Sequence, residues 1–204
     1  FIDVGEDTYC IDCNQIEEKI TPNTSAICAP DLMGNVCEWE RIRELADKYS
    51  LRVIHDSADT LGASLNGAST GSFSDLSITS FYGSHVINGA GNGGMIVTSD
   101  EDVMNKCKLL RSWGRSSSLF QDSEAIENRF DVYLEGVQYD AKFVFEEIGY
   151  QLEPSEISSA FALEQLKKLD LNSKLRNKYF NSHDNFFSNY SDFFVLPNQN
   201  DNAH

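Results

Sequence analysis

The chain has 204 residues, 41% of them hydrophobic and 11% aromatic, with 16 Lys and Arg against 32 Asp and Glu and a formal net charge of -16 at pH 7. That balance excludes nonspecific binding to nucleic acid or to an anionic membrane, because counterion release needs a basic surface. It does not exclude a phosphorylated small molecule, which backbone N–H groups and a few side chains can hold. The length allows one large domain, or one with a fragment of a second.

No apolar run reaches the roughly 18 residues a membrane helix needs. No segment resembles a signal peptide. The chain starts Phe1-Ile2-Asp3-Val4 and ends in the polar run Asn200-Asp201-Asn202-Ala203-His204, so it reads as a piece of a longer protein. The cysteines are Cys10, Cys13, Cys28, Cys37 and Cys107. Their odd count and irregular spacing favour reduced thiols and a cytoplasmic protein. Cys10-x-x-Cys13 is the one metal-like pair. Neither a second such pair nor a nearby His pair completes four ligands, so no metal site is expected.

Residues 1–4 read as a short strand. Ile16, Ile20 and the acidic pair Glu17-Glu18 fit a short helix before Thr21-Pro22-Asn23. Residues 25–29 are a small apolar run that reads as a buried strand, and Asp31-Leu32-Met33-Gly34-Asn35 reads as a loop. Trp39, Ile42, Leu45, Ala46 and Tyr49 recur at helical spacing, so 38–49 is an amphipathic helix. Residues 51–55 form the next strand. This alternation predicts βαβ units and a mainly parallel sheet. Ligands of such sheets bind at the carboxyl ends of the strands, where Asp56 sits.

A further strand is expected over 76–82. Gly89, Gly91, Gly93 and Gly94 make a flexible turn into Met95-Ile96-Val97-Thr98. Ser99-Asp100-Glu101-Asp102 opens a helix running to about Arg111, with acids favoured by the helix dipole. From Ser116 to about Glu147 periodicity is poor and a long excursion is expected, of the kind that is usually functional or disordered. Pro154 opens a helix with Ile157, Ala160, Phe161, Leu163, Leu166 and Leu169 on one face. A second helix spans about 172–190, and 193–196 reads as a strand.

Several segments together resemble the DegT/DnrJ/EryC1/StrS sugar aminotransferases, a branch of the fold-type I pyridoxal-phosphate enzymes. They are Phe1-Ile2-Asp3-Val4 with Thr8-Tyr9-Cys10-Ile11-Asp12, Ile20-Thr21-Pro22-Asn23-Thr24, His55-Asp56-Ser57-Ala58, Gly71-Ser72-Phe73-Ser74-Asp75, Ser80-Phe81-Tyr82, Gly93-Gly94-Met95-Ile96-Val97-Thr98, Trp113-Gly114-Arg115, Ile148-Gly149-Tyr150 and Ala160-Phe161-Ala162-Leu163-Glu164-Gln165-Leu166. The resemblance implies an α/β fold of the aspartate-aminotransferase type: a mainly parallel or mixed sheet sandwiched by helices. It implies that residues 1–170 are part of the cofactor-binding large domain. Residues 171–204 would be a connecting helix and the start of a smaller C-terminal domain.

The same resemblance implies a cofactor, pyridoxal or pyridoxamine 5′-phosphate. Asp56 matches the carboxylate that pairs with the pyridine nitrogen, and Ser80 matches a phosphate-binding hydroxyl. Ordinary members carry a cofactor-binding lysine where this chain has His85, and no lysine lies between Lys48 and Lys106. A histidine at this position marks a branch that resembles GDP-4-keto-6-deoxymannose 3-dehydratase and acts on nucleotide-linked 4-keto-6-deoxy sugars. Asp59 also fits that branch, near the cofactor's ring hydroxyl, where aminotransferases tend to carry glutamine. His85 would be the base that moves a proton at the cofactor's methylene carbon.

A related branch holds an iron–sulfur cluster on four cysteines. Those positions fall near Ala58, Ser116, Ser118 and Ile126, and no cysteine follows Cys107, so no cluster is expected. Further implied partners are a nucleotide-linked keto-deoxysugar, glutamate as amino donor, and a second subunit sharing the active site through the 116–147 excursion. Two other readings stay open. One is a sugar aminotransferase working without the usual lysine. The other is a non-catalytic relative that binds a ligand.

Overall fold

A computed structural model describes residues 1–200 and 202–204, so the polar end expected at 200–204 lies outside the described residues at Asp201. The chain divides into two compact units, residues 1–97 with 156–204 and residues 98–155.

The first unit carries the expected α/β alternation. Asp12 caps α1 (Cys13–Lys19) by accepting a bond from the Asn14 N–H, which satisfies one of the donors every helix start leaves open. Then come β1 (Ala26–Pro30), α2 (Trp39–Lys48) and β2 (Arg52–Asp56). A two-stranded hairpin follows, β3 (Ser64–Leu65) and β4 (Ala68–Ser69). Its turn is Asn66-Gly67, both at positive φ (51° and 77°), the pairing that matches the twist of the flanking strands. β5 (Leu76–Ser80) and β6 (Gly94–Val97) complete a sheet of order β1-β2-β5-β6. β1, β2 and β5 run parallel, and β6 is antiparallel to β5. The sheet is therefore mixed.

Helix α2 shows why the core lies on one face of this sheet. Trp39, Ile42 and Ala46 recur at three- and four-residue spacing and all are 0% exposed. They meet Ile27 and Ala29 of β1 and Val53 of β2 in one cluster, to which α1 adds Cys13 and Ile16. Cys10 and Cys37 are packed in the same cluster. Burial pushes the Cys13 thiol up to about 12. The Cys10-x-x-Cys13 pair is thus part of the core.

Several elements differ from the sequence expectation. Residues 1–4 make only an isolated antiparallel bridge, Val4 to Ile11. The strand expected over 193–196 is irregular. It has no ladder partner among the described residues, and Phe193 and Val195 are exposed. The helix expected from 172 starts earlier, as α6 (Leu169–Phe187), and a short 3₁₀ turn, Ser188–Tyr190, follows it. Helix α5 (Glu156–Leu166) forms, but Ile157, Leu163 and Leu166 of its expected apolar face are exposed. No described helix is long and apolar enough to cross a membrane.

The second unit holds the helix expected to end near Arg111 and, over the expected excursion of 116–147, short elements. Its first is α3 (Glu101–Arg111), capped by the Asp100 carboxylate on the N–H groups of Asp102 and Val103. Next are α4 (Ile126–Arg129) and a hairpin of β7 (Val132–Leu134) and β8 (Val137–Tyr139). The hairpin turns at Glu135-Gly136, again with positive φ at both residues.

Asp75, at the entry to β5, ties β2 and α2 to that strand. It accepts from the Val53 N–H at 2.7 Å and from Arg43 and Arg52 at 3.0 Å each. Burial pushes its carboxyl up, but these donors outweigh burial and hold it below the usual carboxylate range of about 3.8. Such a depressed group stabilises the fold fully above its unfolded pKa, and that stability is lost as pH falls through the folded value. Urea midpoints measured from pH 7 to pH 3 should therefore fall below about pH 4. Asp75→Asn should be less stable at pH 7 and converge toward the parent in acid. In the core, Ile42→Ala should lower the unfolding free energy by about 2–5 kcal/mol, read from the same curves.

Candidate active site

The register of β2 decides which residues face where. In a strand, successive side chains point to opposite faces. Val53 and His55 are buried on the face that α2 covers, while Ile54 and Asp56 are only partly buried. Asp56 pairs in register with Ile78 of β5, so Ser80, two residues on, lies on the same face as Asp56. Both stand at the carboxyl ends of their parallel strands, where open α/β sheets bind ligands.

The turn after β2 is pinned from two sides. The Asp56 carboxylate accepts from the Ala58 N–H at 3.0 Å. The Ser57 N–H and hydroxyl both donate to the Ile78 carbonyl, and the Thr79 hydroxyl donates to the Ser57 carbonyl. This turn carries Asp59, which accepts from the Met33 N–H at 3.0 Å.

The turn after β5 carries the other half of the site. The Ser80 hydroxyl oxygen accepts from the Tyr82 N–H at 3.2 Å, which leaves its own proton to donate. The Phe81 N–H donates to Gly93, and the Gly89 N–H donates back to Phe81. These bonds close the glycine-rich loop. A Cβ on Gly89 would stand 3.1 Å from the Asn92 carbonyl oxygen, so the loop closes on a residue with little room for a side chain. The His85 N–H donates to the Tyr82 carbonyl, and the two rings meet edge to face at 6.0 Å.

His85 Nε2 stands 3.9 Å from Asp59 Oδ1, with the side chains 24% and 31% exposed. Its other nitrogen, Nδ1, is buried without a hydrogen-bond partner among the described residues. Buried polar atoms are nearly always paired, so such an exception calls for an explanation. The first unit thus brings the four expected residues, Asp56, Asp59, Ser80 and His85, to the carboxyl edge of β2 and β5. Sequence reading missed Asp31 and His55, buried directly behind them. The period-2 pattern of β2 carried the signal, since it sets His55 on the same face as Val53.

The sheet thus sets an acid at one strand end, a hydroxyl at the next and a histidine in the following turn. The DegT/DnrJ/EryC1/StrS aminotransferase family model matches residues 1–204, and the chain belongs to that family. It is 30% identical over 200 residues to the lipopolysaccharide biosynthesis protein RfbH of Salmonella typhimurium (strain LT2), covering 97% of this chain and 46% of that one. The aminotransferase from Psychrobacter cryohalolentis matches in structure with a TM-score of 0.80 at 25% identity, over 97% of this chain and 48% of that one. The E. coli GDP-4-keto-6-deoxy-D-mannose-3-dehydratase with bound hydrated PLP matches with a TM-score of 0.75 at 26% identity, over 95% and 47%. The chain spans about half the length of these relatives. Their fold is the aminotransferase-type α/β fold expected from the sequence.

Proposed function

We propose that the protein carrying this chain is a pyridoxal- or pyridoxamine-phosphate enzyme of nucleotide-sugar metabolism, and within that class a 3-dehydratase of a nucleotide-linked 4-keto-6-deoxyhexose. The observation that carries the finer reading is His85. The resemblance sets it where ordinary members carry the cofactor-binding lysine, and it stands beside Asp59 at the strand ends.

The residues present fit the cofactor. Asp56 offers a carboxylate to a pyridine nitrogen, Ser80 a hydroxyl to a phosphate, and His85 an unpaired nitrogen to a proton in transit. When bound, the protonated pyridine ring supplies an electron sink. Asp56 holds the proton on that ring nitrogen, because a carboxylate beside it favours the charged form. With the cofactor bound, His85 would be the base at its methylene carbon, with the Asp59 carboxylate 3.9 Å from Nε2. Asp59 favours the charged imidazolium that results, in the way a carboxylate supports a catalytic histidine. His85 then has a proton to return when the sugar's C3 hydroxyl leaves. An imidazole cannot hold the cofactor covalently as lysine does, so the cofactor is retained by noncovalent contacts alone.

Residues 1–170 would then be part of the cofactor domain, with 171–204 leading into a second one. The working form would be a homodimer with a shared site, and glutamate would restore the amine. The relatives also support transamination as the second reading. His85 separates the two. In the full-length protein, incubation with pyridoxamine phosphate and GDP- or CDP-4-keto-6-deoxyhexose should yield a 3-deoxy product by mass, and His85→Lys should abolish it. An unchanged sugar mass, or an amino-sugar product from the parent protein, would sink the dehydratase reading. Asp56→Asn should weaken pyridoxal-phosphate binding by about 10- to 100-fold, the worth of one charge-assisted bond, measured by absorbance titration.

A further inference from the structure

Behind the strand ends lies a carboxylate that none of these roles uses. Asp31 is 1% exposed and its side chain is fully buried. Its Oδ1 accepts from the Cys37 N–H at 2.8 Å and from the Trp39 indole N–H at 3.0 Å. Its Oδ2 meets His55 Nε2 at 2.9 Å and accepts from the Thr60 hydroxyl at 3.1 Å. A buried carboxylate with four partners gives little net stability, since an apolar replacement of the same shape often does as well. Its placement has a second consequence.

The residues that hold Asp31, and those it holds, are the supports of the two site acids. The Asp31 N–H donates to the Asp56 carbonyl at 2.9 Å. Met33, two residues on, supplies the N–H that Asp59 accepts. Thr60 adjoins Asp59, and His55 adjoins Asp56. As a carboxylate Asp31 can only accept. His55 therefore carries a proton on Nε2, and its Nδ1 is hydrogen-bonded with the Ser77 hydroxyl of β5 at 3.1 Å. The imidazole thus locks β2 to β5 one residue before Asp56, and edge-on contact with Trp39 at 4.5 Å fixes its plane.

We propose that Asp31 is a positioning residue for Asp56 and Asp59: through His55, Thr60 and the 31–33 backbone it sets both acids for the cofactor. The inference rests on the reading of Asp56 as a cofactor contact. Outer partners of ligand-binding side chains have such effects because they fix orientation within a fraction of an ångström. Asp31→Asn keeps an oxygen for Cys37 and Trp39 but puts an amide donor where Oδ2 accepted from His55 and Thr60, so the His55–Ser77 bond must reverse or break.

The test is a double-mutant cycle in the full-length protein, with pyridoxal phosphate as the probe and dissociation constant and absorption band as readouts. The expected result is a loss of about tenfold in affinity for Asp31→Asn, with a shifted band. In Asp31→Asn/Asp56→Asn the loss should be clearly smaller than the two single losses combined, the remainder acting through Asp59. A purely structural role predicts full additivity. Additive losses, or parental binding by Asp31→Asn, overturn the proposal. If the parent binds no pyridoxal phosphate, or Asp56→Asn binds it as tightly as the parent, the reading of Asp56 fails and takes this proposal with it. If Asp31→Asn does not fold, Thr60→Val removes one donor to the same oxygen. A measurable weakening that is smaller in the Asp56→Asn background is then expected, and parental affinity overturns the proposal.

Discussion

Everything at the candidate site depends on the register of β2 between β1 and β5. Pairing Asp56 with Ile78 puts His55 inside and Asp56 outside. A slip of one residue would exchange the two, burying the site acid and exposing the imidazole. Two things hold the register. Val53 and His55 pack beneath α2, and the Asp75 carboxylate takes the Val53 N–H with two guanidinium groups beside it. The hydrophobic stripe of α2 and the polar clamp at Asp75 therefore serve the same end, although neither touches the ligand face.

The two faces of this sheet differ in character. Beneath α2 the inner face buries Trp39, Ile42, Ala46 and Val53 fully, with Asp31 and His55 hydrogen-bonded among them. The outer face is more open: Cys28 of β1 is exposed, and so is Ile96 of β6, which pairs with Ile78. A rigid inner layer behind an open outer one is the arrangement in which strand-end groups can be held still and yet reach a ligand. His85 belongs to the outer side, on a turn fixed by backbone bonds at Phe81, Gly89 and Tyr82.

Much of the fold was legible because it follows period. Helical spacing from Trp39 marks α2, and a short apolar run ending in an acid marks β2. Asp56, Ser80, Asp59 and His85 became candidates only through the family resemblance, since an acid, a serine and a histidine near strand ends have many ordinary uses. The misses have physical causes. Asn66-Gly67 marks a hairpin, but its strands are two residues each, too short for alternation to show. Residues 193–196 have strand composition without a ladder partner. The face of α5 has helical period, but Ile157 and Leu163 are exposed. Asp31 was read as an ordinary loop acid, because its four partners come from the loop, α2, β2 and the following turn, and no local pattern joins them.

The central claim is that the cofactor is held at this edge by noncovalent contacts, with His85 in the place of the lysine. Borohydride treatment of the pyridoxal-phosphate-loaded full-length protein, followed by intact mass and peptide mapping, tests it most directly. The account predicts bound cofactor that leaves with denaturation and no reduced adduct on any lysine. A stable adduct at a lysine would contradict it, as would a parent protein that retains no cofactor.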